Sequence, residues 1–109
     1  YKCKSYTLDL ADPHAVAETF KDIRMKTGNI QILINNAGLG KTADPSELTV
    51  ENWDYVLNTN LRGSFLCSRE SAIGMKESGG GSIVMISSTR ALMSVPCSEA
   101  YAASKGGLL

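Results

Sequence analysis

Two short apolar runs, each ending in small polar residues, place the strongest constraint on what this chain can fold into. Residues 30–34 are apolar except for Gln31, and residues 83–86 are apolar throughout. Runs of this kind are typical of strands that are buried in a parallel sheet. A third segment, residues 4–8, carries aromatic and β-branched side chains and is predicted to be a strand that ends at Asp9 and Leu10.

Three helices are predicted between and after these strands. The first begins at Asp12, a capping acid followed by Pro13, and ends at Gly28. The second is capped by Thr49 and covers roughly residues 50–76, and the third begins at Ser98. The predicted inner face of the first helix is Val16, Phe20, Ile23 and Thr27. That of the second is Trp53, Val56, Leu57, Asn60, Leu61, Ser64, Phe65, Ser68, Ala72 and Met75. Strands that alternate with helices in this way indicate an α/β fold with helices on both faces of a parallel sheet.

Ligands of such sheets bind at the carboxyl ends of the strands. That rule points to Asp9 and Leu10, to residues 35–38 and to Ser87 and Ser88. The glycine and asparagines of the second segment allow a ligand to approach the backbone closely. The alternative is an ordinary turn between a strand and a loop.

Tyr101 and Lys105 form the strongest chemical pair, because a helix places positions i and i+4 on one face. A free tyrosine ionises near pH ~10, and a neighbouring ammonium favours the phenolate. A tyrosine in this setting can give a proton to a carbonyl oxygen while hydride arrives at its carbon. Ser88, at the end of a strand, could hold that oxygen with its hydroxyl. The alternative for the pair is a surface cation packed beside a ring.

Asn60 is unusual because it is a polar residue on the apolar stripe of the long helix. A buried amide must have its hydrogen bonds satisfied, or it destabilises the fold by about 1–3 kcal/mol. It is either a structural residue bonded to nearby backbone, or a residue that holds a water or bends the helix near a reaction centre.

Taken in order, these motifs resemble the short-chain dehydrogenase/reductase family. The resemblance rests on residues 35–38 (Asn-Asn-Ala-Gly), residues 60–63 (Asn-Leu-Arg-Gly), Ser88 and residues 101–105 (Tyr-Ala-Ala-Ser-Lys), with Asp9 at the family's acidic position after its third strand. It implies a Rossmann-like doubly wound parallel sheet, here lacking the first two and the last strands. Residues 1–109 would be a single, partial NAD(P)-binding domain, and alone we expect it to fold poorly and to be inactive.

The resemblance also implies roles for individual residues. Tyr101 would be the acid/base, Lys105 would favour its phenolate and hold the nicotinamide ribose, and Ser88 would orient the substrate oxygen. Asn60 would support a water-linked proton relay through Lys105. Asp9 and Leu10 would contact the adenine, and Asn36, Ala37 and Gly38 would line the cofactor cleft. The cofactor would be NAD or NADP, and the substrate a small carbonyl compound or alcohol.

Composition narrows the class of protein. Hydrophobic residues make up 43% of the chain and charged residues 20%, and the net charge is zero, so nothing favours binding to nucleic acid or to an anionic membrane. The apolar runs are far too short to span a bilayer. Three widely spaced cysteines, Cys3, Cys67 and Cys97, fit reduced thiols in a cytoplasmic protein, and no spacing suggests a metal site.

The family resemblance suggests a homodimer or homotetramer. A non-catalytic NAD(P)-binding regulator and an inactive truncated fragment remain the alternative classes.

Overall fold

A computed structural model describes residues 3–109 of the chain. The strands are β1 (Ile32–Asn35) and β2 (Ser82–Met85), and the helices are α1 (Pro13–Thr27), α2 (Val50–Leu57), α3 (Gly63–Glu77) and α4 (Glu99–Gly106). A π-helical turn, Asn58–Arg62, joins α2 to α3, and a 3-10 turn, Thr89–Ala91, follows β2. This order confirms the predicted alternation of strands and helices.

The two strands are parallel neighbours, with Ile32 opposite Ser82 and Asn35 opposite Met85. The chain crosses from one strand to the other through α2, the π-helical turn and α3. Asn35 donates from its side-chain amide to the hydroxyl of Ser68, at 3.0 Å, which ties the end of β1 to α3. Both strands therefore end at one edge of the sheet, where Ile86, directly after β2, accepts a hydrogen bond from Lys105 of α4.

The predicted strand at residues 4–8 is wrong for this structure. Residues 3–9 carry no regular secondary structure and pair with neither β1 nor β2. A strand exists only where its backbone groups find a partner, and this segment does not reach the open outer edge of either β1 or β2. Tyr1 and Lys2, the remaining residues before this segment, lie outside the described part of the chain.

The first two predicted helix boundaries agree closely with the structure. Asp12 Oδ1 accepts hydrogen bonds from the backbone N–H groups of His14 and Ala15, at 2.9 and 3.1 Å, and Gly28 ends α1 with a φ of 90°. Thr49 Oγ1 caps α2 by accepting from Asn52 N–H at 3.2 Å. The third helix also begins after Ser98, but Ser98 bonds back to the carbonyl of Val95 instead of capping α4.

The inner face of the long helical segment is narrower than the predicted stripe. Phe65, expected inside, is 58% exposed, whereas Gly63, Cys67 and Gly74 are buried. Close packing explains the difference: a Cβ at Gly63 would lie 2.9 Å from Leu10 Cβ, and one at Gly74 would lie 2.7 Å from the side chain of Asn29. Because α3 approaches its neighbours so closely, small residues face inward and the large ring faces outward.

The core is small and lies between α1 and α3. Val16, Leu66 and Cys67 are buried together, and Leu8, Leu10, Phe20 and Leu33 pack against them. Burial raises the pKa of the Cys67 thiol above its ordinary value, with the nearby carboxylate of Glu70 adding to the effect. None of the helices within residues 3–109 has the length and apolar character needed to cross a lipid bilayer.

Candidate active site

Tyr101 and Lys105 lie one turn apart on α4, as their spacing predicted. The Lys105 side chain is almost fully buried, at 3% exposure for the residue, and its Nζ donates to the backbone carbonyl of Ile86 at 2.7 Å. The same ammonium lies 5.8 Å from the centroid of the Tyr101 ring. A buried cation held by one backbone carbonyl next to a phenol differs from a solvated surface lysine, which would leave its charge in water.

Asn60 joins the π-helical turn to the loop that follows β1. Its side chain is fully buried and bonds both backbone groups of Leu39: Nδ2 donates to the carbonyl at 2.8 Å, and Oδ1 accepts from the N–H at 2.9 Å. Nδ2 also donates to Ser104 Oγ at 2.9 Å. Both amide hydrogens are therefore used, and one side chain satisfies the buried polar groups of two other elements.

Ser104 belongs to the site, although no role was predicted for it from the sequence. It is fully buried, accepts from Asn60 and donates to the Tyr101 carbonyl at 2.7 Å. A serine within a helix, between Ala103 and Lys105, is the one sequence signal that could have drawn attention to it. Through Ser104, Asn60 is connected to the backbone of the residue that carries the phenol.

Ser88 stands where β2 gives way to the loop before α4. Its Oγ accepts a hydrogen bond from the backbone N–H of Arg90, at 3.2 Å, and so begins the 3-10 turn. The preceding residue, Ser87, donates from its hydroxyl to the Lys105 carbonyl at 2.7 Å. The end of β2 and α4 are thus tied together through Ser87 and through the Lys105 ammonium on the carbonyl of Ile86.

Residues predicted to bind the cofactor line the largest cleft, of about 540 Å³. Asp9 and Leu10 form one side, and Ala37 and Gly38 form another. The remaining lining residues are Thr7, Leu8, Leu39, Tyr55 and Thr59, none of which was predicted to contact the cofactor. Asn36 is exposed and lies outside this lining, and Tyr101 and Lys105, which were also predicted to contact the cofactor, are absent from it as well. Four of the seven predicted residues therefore line this cleft. We call this space the large cleft.

Gly38 connects the large cleft to the Tyr101 and Lys105 pair. A Cβ at this position would lie 3.2 Å from Lys105 Nζ and 3.6 Å from Asn60 Oδ1. Only a residue without a side chain leaves this contact undisturbed. An elongated ligand in the large cleft could therefore reach the lysine ammonium along the backbone of Gly38, and an open backbone surface that leads to a cation suits a dinucleotide.

A smaller cleft, of about 250 Å³, lies on the Tyr101 side of α4. Its lining residues are Gly40, Lys41, Thr42, Arg90, Ser98 and Tyr101. Gly40 lies against the ring, since a Cβ there would be 3.7 Å from Tyr101 Cδ2. We call this space the tyrosine cleft, and it provides room beside the phenol for a small molecule.

An α/β unit with this pair of clefts and a Tyr–Lys pair on one helix is typical of an oxidoreductase of the dinucleotide-binding class. The family model for short chain dehydrogenase matches residues 1–109. The chain belongs to the short-chain dehydrogenase/reductase family. This membership confirms the resemblance and the incomplete Rossmann-like fold.

Individual relatives agree with this assignment. An oxidoreductase of Thermotoga maritima is 40% identical over 101 residues, which cover 93% of this chain and 40% of that protein. D-threitol dehydrogenase of Mycolicibacterium smegmatis is 35% identical over 106 residues, 97% of this chain and 41% of that protein. This chain superposes with a TM-score of 0.87 on the crystal structure of a gluconate 5-dehydrogenase from Burkholderia cenocepacia in complex with NADP and tartrate. The two chains are 30% identical, and the match covers 93% of this chain and 40% of that one. The chain thus spans about 40% of the length of the relatives it matches.

Proposed function

We propose that the complete protein containing these 109 residues is an NAD(P)-dependent oxidoreductase that interconverts a small alcohol and its carbonyl compound, with Tyr101 as acid/base. The observation that carries the proposal is the Lys105 ammonium, buried and held by the Ile86 carbonyl at 2.7 Å, at 5.8 Å from the Tyr101 ring. A binding module without turnover has no need of a proton donor supported in this way. D-threitol dehydrogenase and gluconate 5-dehydrogenase act, by their names, on a polyol and a sugar acid. Both are substrates of the proposed kind.

The proposed proton transfer takes place at the Tyr101 hydroxyl. During reduction the phenol gives its proton to the substrate oxygen, and during oxidation the phenolate takes the proton of the substrate hydroxyl. The Lys105 cation stabilises the negative charge that remains on the phenol oxygen. The Ser88 hydroxyl orients the substrate oxygen toward the ring. A bound nicotinamide supplies or accepts the hydride.

The cofactor would lie along the large cleft. Asp9 and Leu10 would contact the adenine end, and Ala37 and Gly38 would provide the backbone along which it reaches Lys105. Asn36, which is exposed and outside the lining, would contribute at most from the rim of this cleft. Lys105 would then hold the nicotinamide ribose with its ammonium.

Asn60 and Ser104 hold the Tyr101 and Lys105 pair in place. Asn60 fixes the loop after β1 through Leu39, and Ser104 carries that constraint to the Tyr101 backbone. A water-linked relay from Asn60 through Lys105 is a further part of the proposal. It would use the second lone pair of Oδ1 or the Asn60 backbone carbonyl, which already accepts from Ser64 Oγ at 2.7 Å.

A cytoplasmic location and a homodimer or homotetramer complete the proposal. Cys3, Cys67 and Cys97 are free thiols, as expected in a reducing compartment. Exposed apolar side chains along α2 and α3, including Tyr55, Phe65 and Ile73, provide a surface on which a second copy could pack. The proposed function involves no binding to nucleic acid or to a membrane.

Two substitutions in the complete protein separate the proposed roles. Tyr101→Phe should remove turnover and leave the Kd of the reduced cofactor unchanged, because the ring is retained and only the hydroxyl is lost. Lys105→Met should remove turnover and also weaken cofactor binding. Tyr6→Phe and Lys76→Met, at exposed positions that line neither cleft, are the matched controls. Turnover of Tyr101→Phe at the wild-type rate would contradict the mechanism, and cofactor binding in a protein without any turnover would indicate a regulator.

A further inference from the structure

The tyrosine cleft contains two cationic side chains and no carboxylate. Lys41 and Arg90 line it together with the hydroxyls of Thr42, Ser98 and Tyr101. Two positive charges around a space of about 250 Å³ create a local field that favours an anion. The chain as a whole has no net charge, so the positive character belongs to this cleft and not to the whole molecule.

The two cations come from different segments, the loop after β1 and the 3-10 turn after β2, and each segment has a backbone contact close to the proposed reacting groups. Lys41 follows Gly40, whose backbone packs against the ring so closely that a Cβ would lie 3.7 Å from Cδ2. Arg90 lies in the 3-10 turn that Ser88 begins, and its N–H donates to Ser88 Oγ at 3.2 Å. The residue proposed to orient the reacting oxygen therefore also fixes the backbone of Arg90.

Neither cation is neutralised by a neighbour in the described part of the chain. The ion pairs found among residues 3–109 are Lys26 with Asp22 and Arg69 with Glu70, and both are remote from this cleft. Arg90 is half-buried, so its side chain is partly withdrawn from water without a carboxylate to compensate. An anionic group bound between Lys41 and Arg90 would supply that compensation through charge-assisted hydrogen bonds.

We infer that the substrate of this site is a small alcohol, or its oxo form, that carries a carboxylate or a phosphate ester, with this anionic group bound by Lys41 and Arg90 while the reacting oxygen lies at Tyr101 and Ser88. The inference rests on the proposed function and specifies its substrate class. A carboxylate and a phosphate ester share this chemistry, and a cleft of this volume accommodates only a short chain carrying either group. During oxidation the substrate gives its hydroxyl proton to Tyr101 and hydride to the oxidised nicotinamide cofactor, and the anionic group is unchanged.

The test compares substrates that differ only in charge, using the complete protein with its cofactor. Threitol, threonate and threitol 4-phosphate place a neutral, a carboxylate and a phosphate group on the same four-carbon chain. We expect kcat/KM for at least one of the two anions to exceed that for threitol by roughly tenfold or more, the effect of one charge-assisted hydrogen bond. The better of the two anions identifies the group that the cleft takes.

Substitutions assign the preference to the two cations. Arg90→Met and Lys41→Met should each raise KM for the anionic substrate by roughly tenfold, and so lower the ratio of its kcat/KM to that of threitol by a similar factor. Arg90→Lys should restore part of the loss, which a merely structural role of the guanidinium would not predict. Arg69→Met and Lys76→Met are the matched controls. The Kd of the cofactor should not change in any of these variants.

Three outcomes would overturn the inference. One is equal or better turnover of threitol in the wild type, with turnover still dependent on Tyr101; the proposed function would then stand. Another is a loss of cofactor affinity in Arg90→Met or Lys41→Met, which would assign the cations to the cofactor phosphates. If no substrate turns over, calorimetry measures whether threonate and threitol 4-phosphate bind to the cofactor-loaded protein. If neither compound binds, the inference is contradicted independently of catalysis.

Discussion

Asn60 satisfies both backbone groups of Leu39 with a single side chain, at 2.8 and 2.9 Å, although the two residues belong to different elements separated by two turns of helix and a loop. Asn60 lies in the middle of the π-helical turn at residues 58–62, and from there its amide reaches the loop after β1. The geometry of the candidate active site therefore depends on a polar contact in the interior.

Removing the Asn60 amide should destabilise the complete protein. Asn60→Ala leaves the N–H and carbonyl of Leu39 without their side-chain partner and removes the donor to Ser104 Oγ, which keeps only its bond to the Tyr101 carbonyl. We expect a loss of at least ~2 kcal/mol in the free energy of unfolding. Ser104→Ala removes one of these contacts and should cost about 1 kcal/mol. Urea denaturation of both variants and of the double variant measures the difference. If the loss in the double variant equals the sum of the losses in the two single variants, the hydrogen-bonded network of Asn60 and Ser104 is contradicted.

A methyl group at Gly38 should disturb catalysis more than folding. Its Cβ would lie 3.2 Å from Lys105 Nζ, so the ammonium must move by a few tenths of an ångström away from its place beside Tyr101. We expect Gly38→Ala to lower kcat/KM by about tenfold or more, because small displacements of catalytic groups are costly. Gly106→Ala is the control, since a Cβ there meets only ordinary contact at 3.9 Å. Equal activity of the two variants would contradict the account.

The three cysteines should differ in reactivity in the order of their exposure. Cys3 is exposed, whereas Cys67 is buried and its thiol has a raised pKa, chiefly because burial disfavours the thiolate. At a pH near 8 an alkylating reagent should modify Cys3 first, and Cys67 should react only at higher pH or after denaturation. Mass spectrometry of digested samples taken over time measures this order. Early modification of Cys67 in the native protein would show that the contact between α1 and α3 is looser than described.

Residues 1–109 produced alone should not unfold cooperatively. In the two-stranded sheet Ile34 is 60% exposed and Val84 is 42% exposed, which leaves apolar strand faces without cover. A two-stranded sheet with a core as small as the one between α1 and α3 is marginal in water. Calorimetry should show a broad transition that the cofactor does not shift. A sharp transition that rises with added cofactor would contradict this prediction.

Most of the helices and strands could be predicted from the sequence, because capping residues and apolar periodicity are local features of the chain. Asp12 before Pro13 and Thr49 before the long helix marked helix starts that the structure keeps, and the alternation of strands and helices indicated the fold class. The strand at residues 4–8 was not predictable in the same way, because strand formation depends on a partner elsewhere in the chain. The outward position of Phe65 follows from the close approach of α3 to Leu10 and Asn29, which periodicity does not report.

The site was predictable to the extent that it depends on spacing along one helix. The four-residue interval from Tyr101 to Lys105 guaranteed a shared face. Asp9, Leu10, Ala37 and Gly38 line one cleft, although Asp9 and Leu10 follow an irregular segment and not the predicted strand. Contacts that join distant segments were not accessible from the sequence: Asn60 with Leu39, Ser104 with Asn60, and Lys105 with the Ile86 carbonyl. These contacts distinguish a buried, positioned lysine from the commoner surface cation.

The rate of hydride transfer in a single turnover tests the central claim most directly. With the complete protein saturated with cofactor and substrate, the absorbance of the reduced nicotinamide is followed for the wild type, Tyr101→Phe and the control Tyr6→Phe. We expect the transfer rate to fall by roughly 10²–10⁴-fold in Tyr101→Phe, the usual contribution of a positioned acid/base group, and to stay at the wild-type value in Tyr6→Phe. Equal transfer rates in the wild type and Tyr101→Phe would show that the phenol takes no part in the reaction.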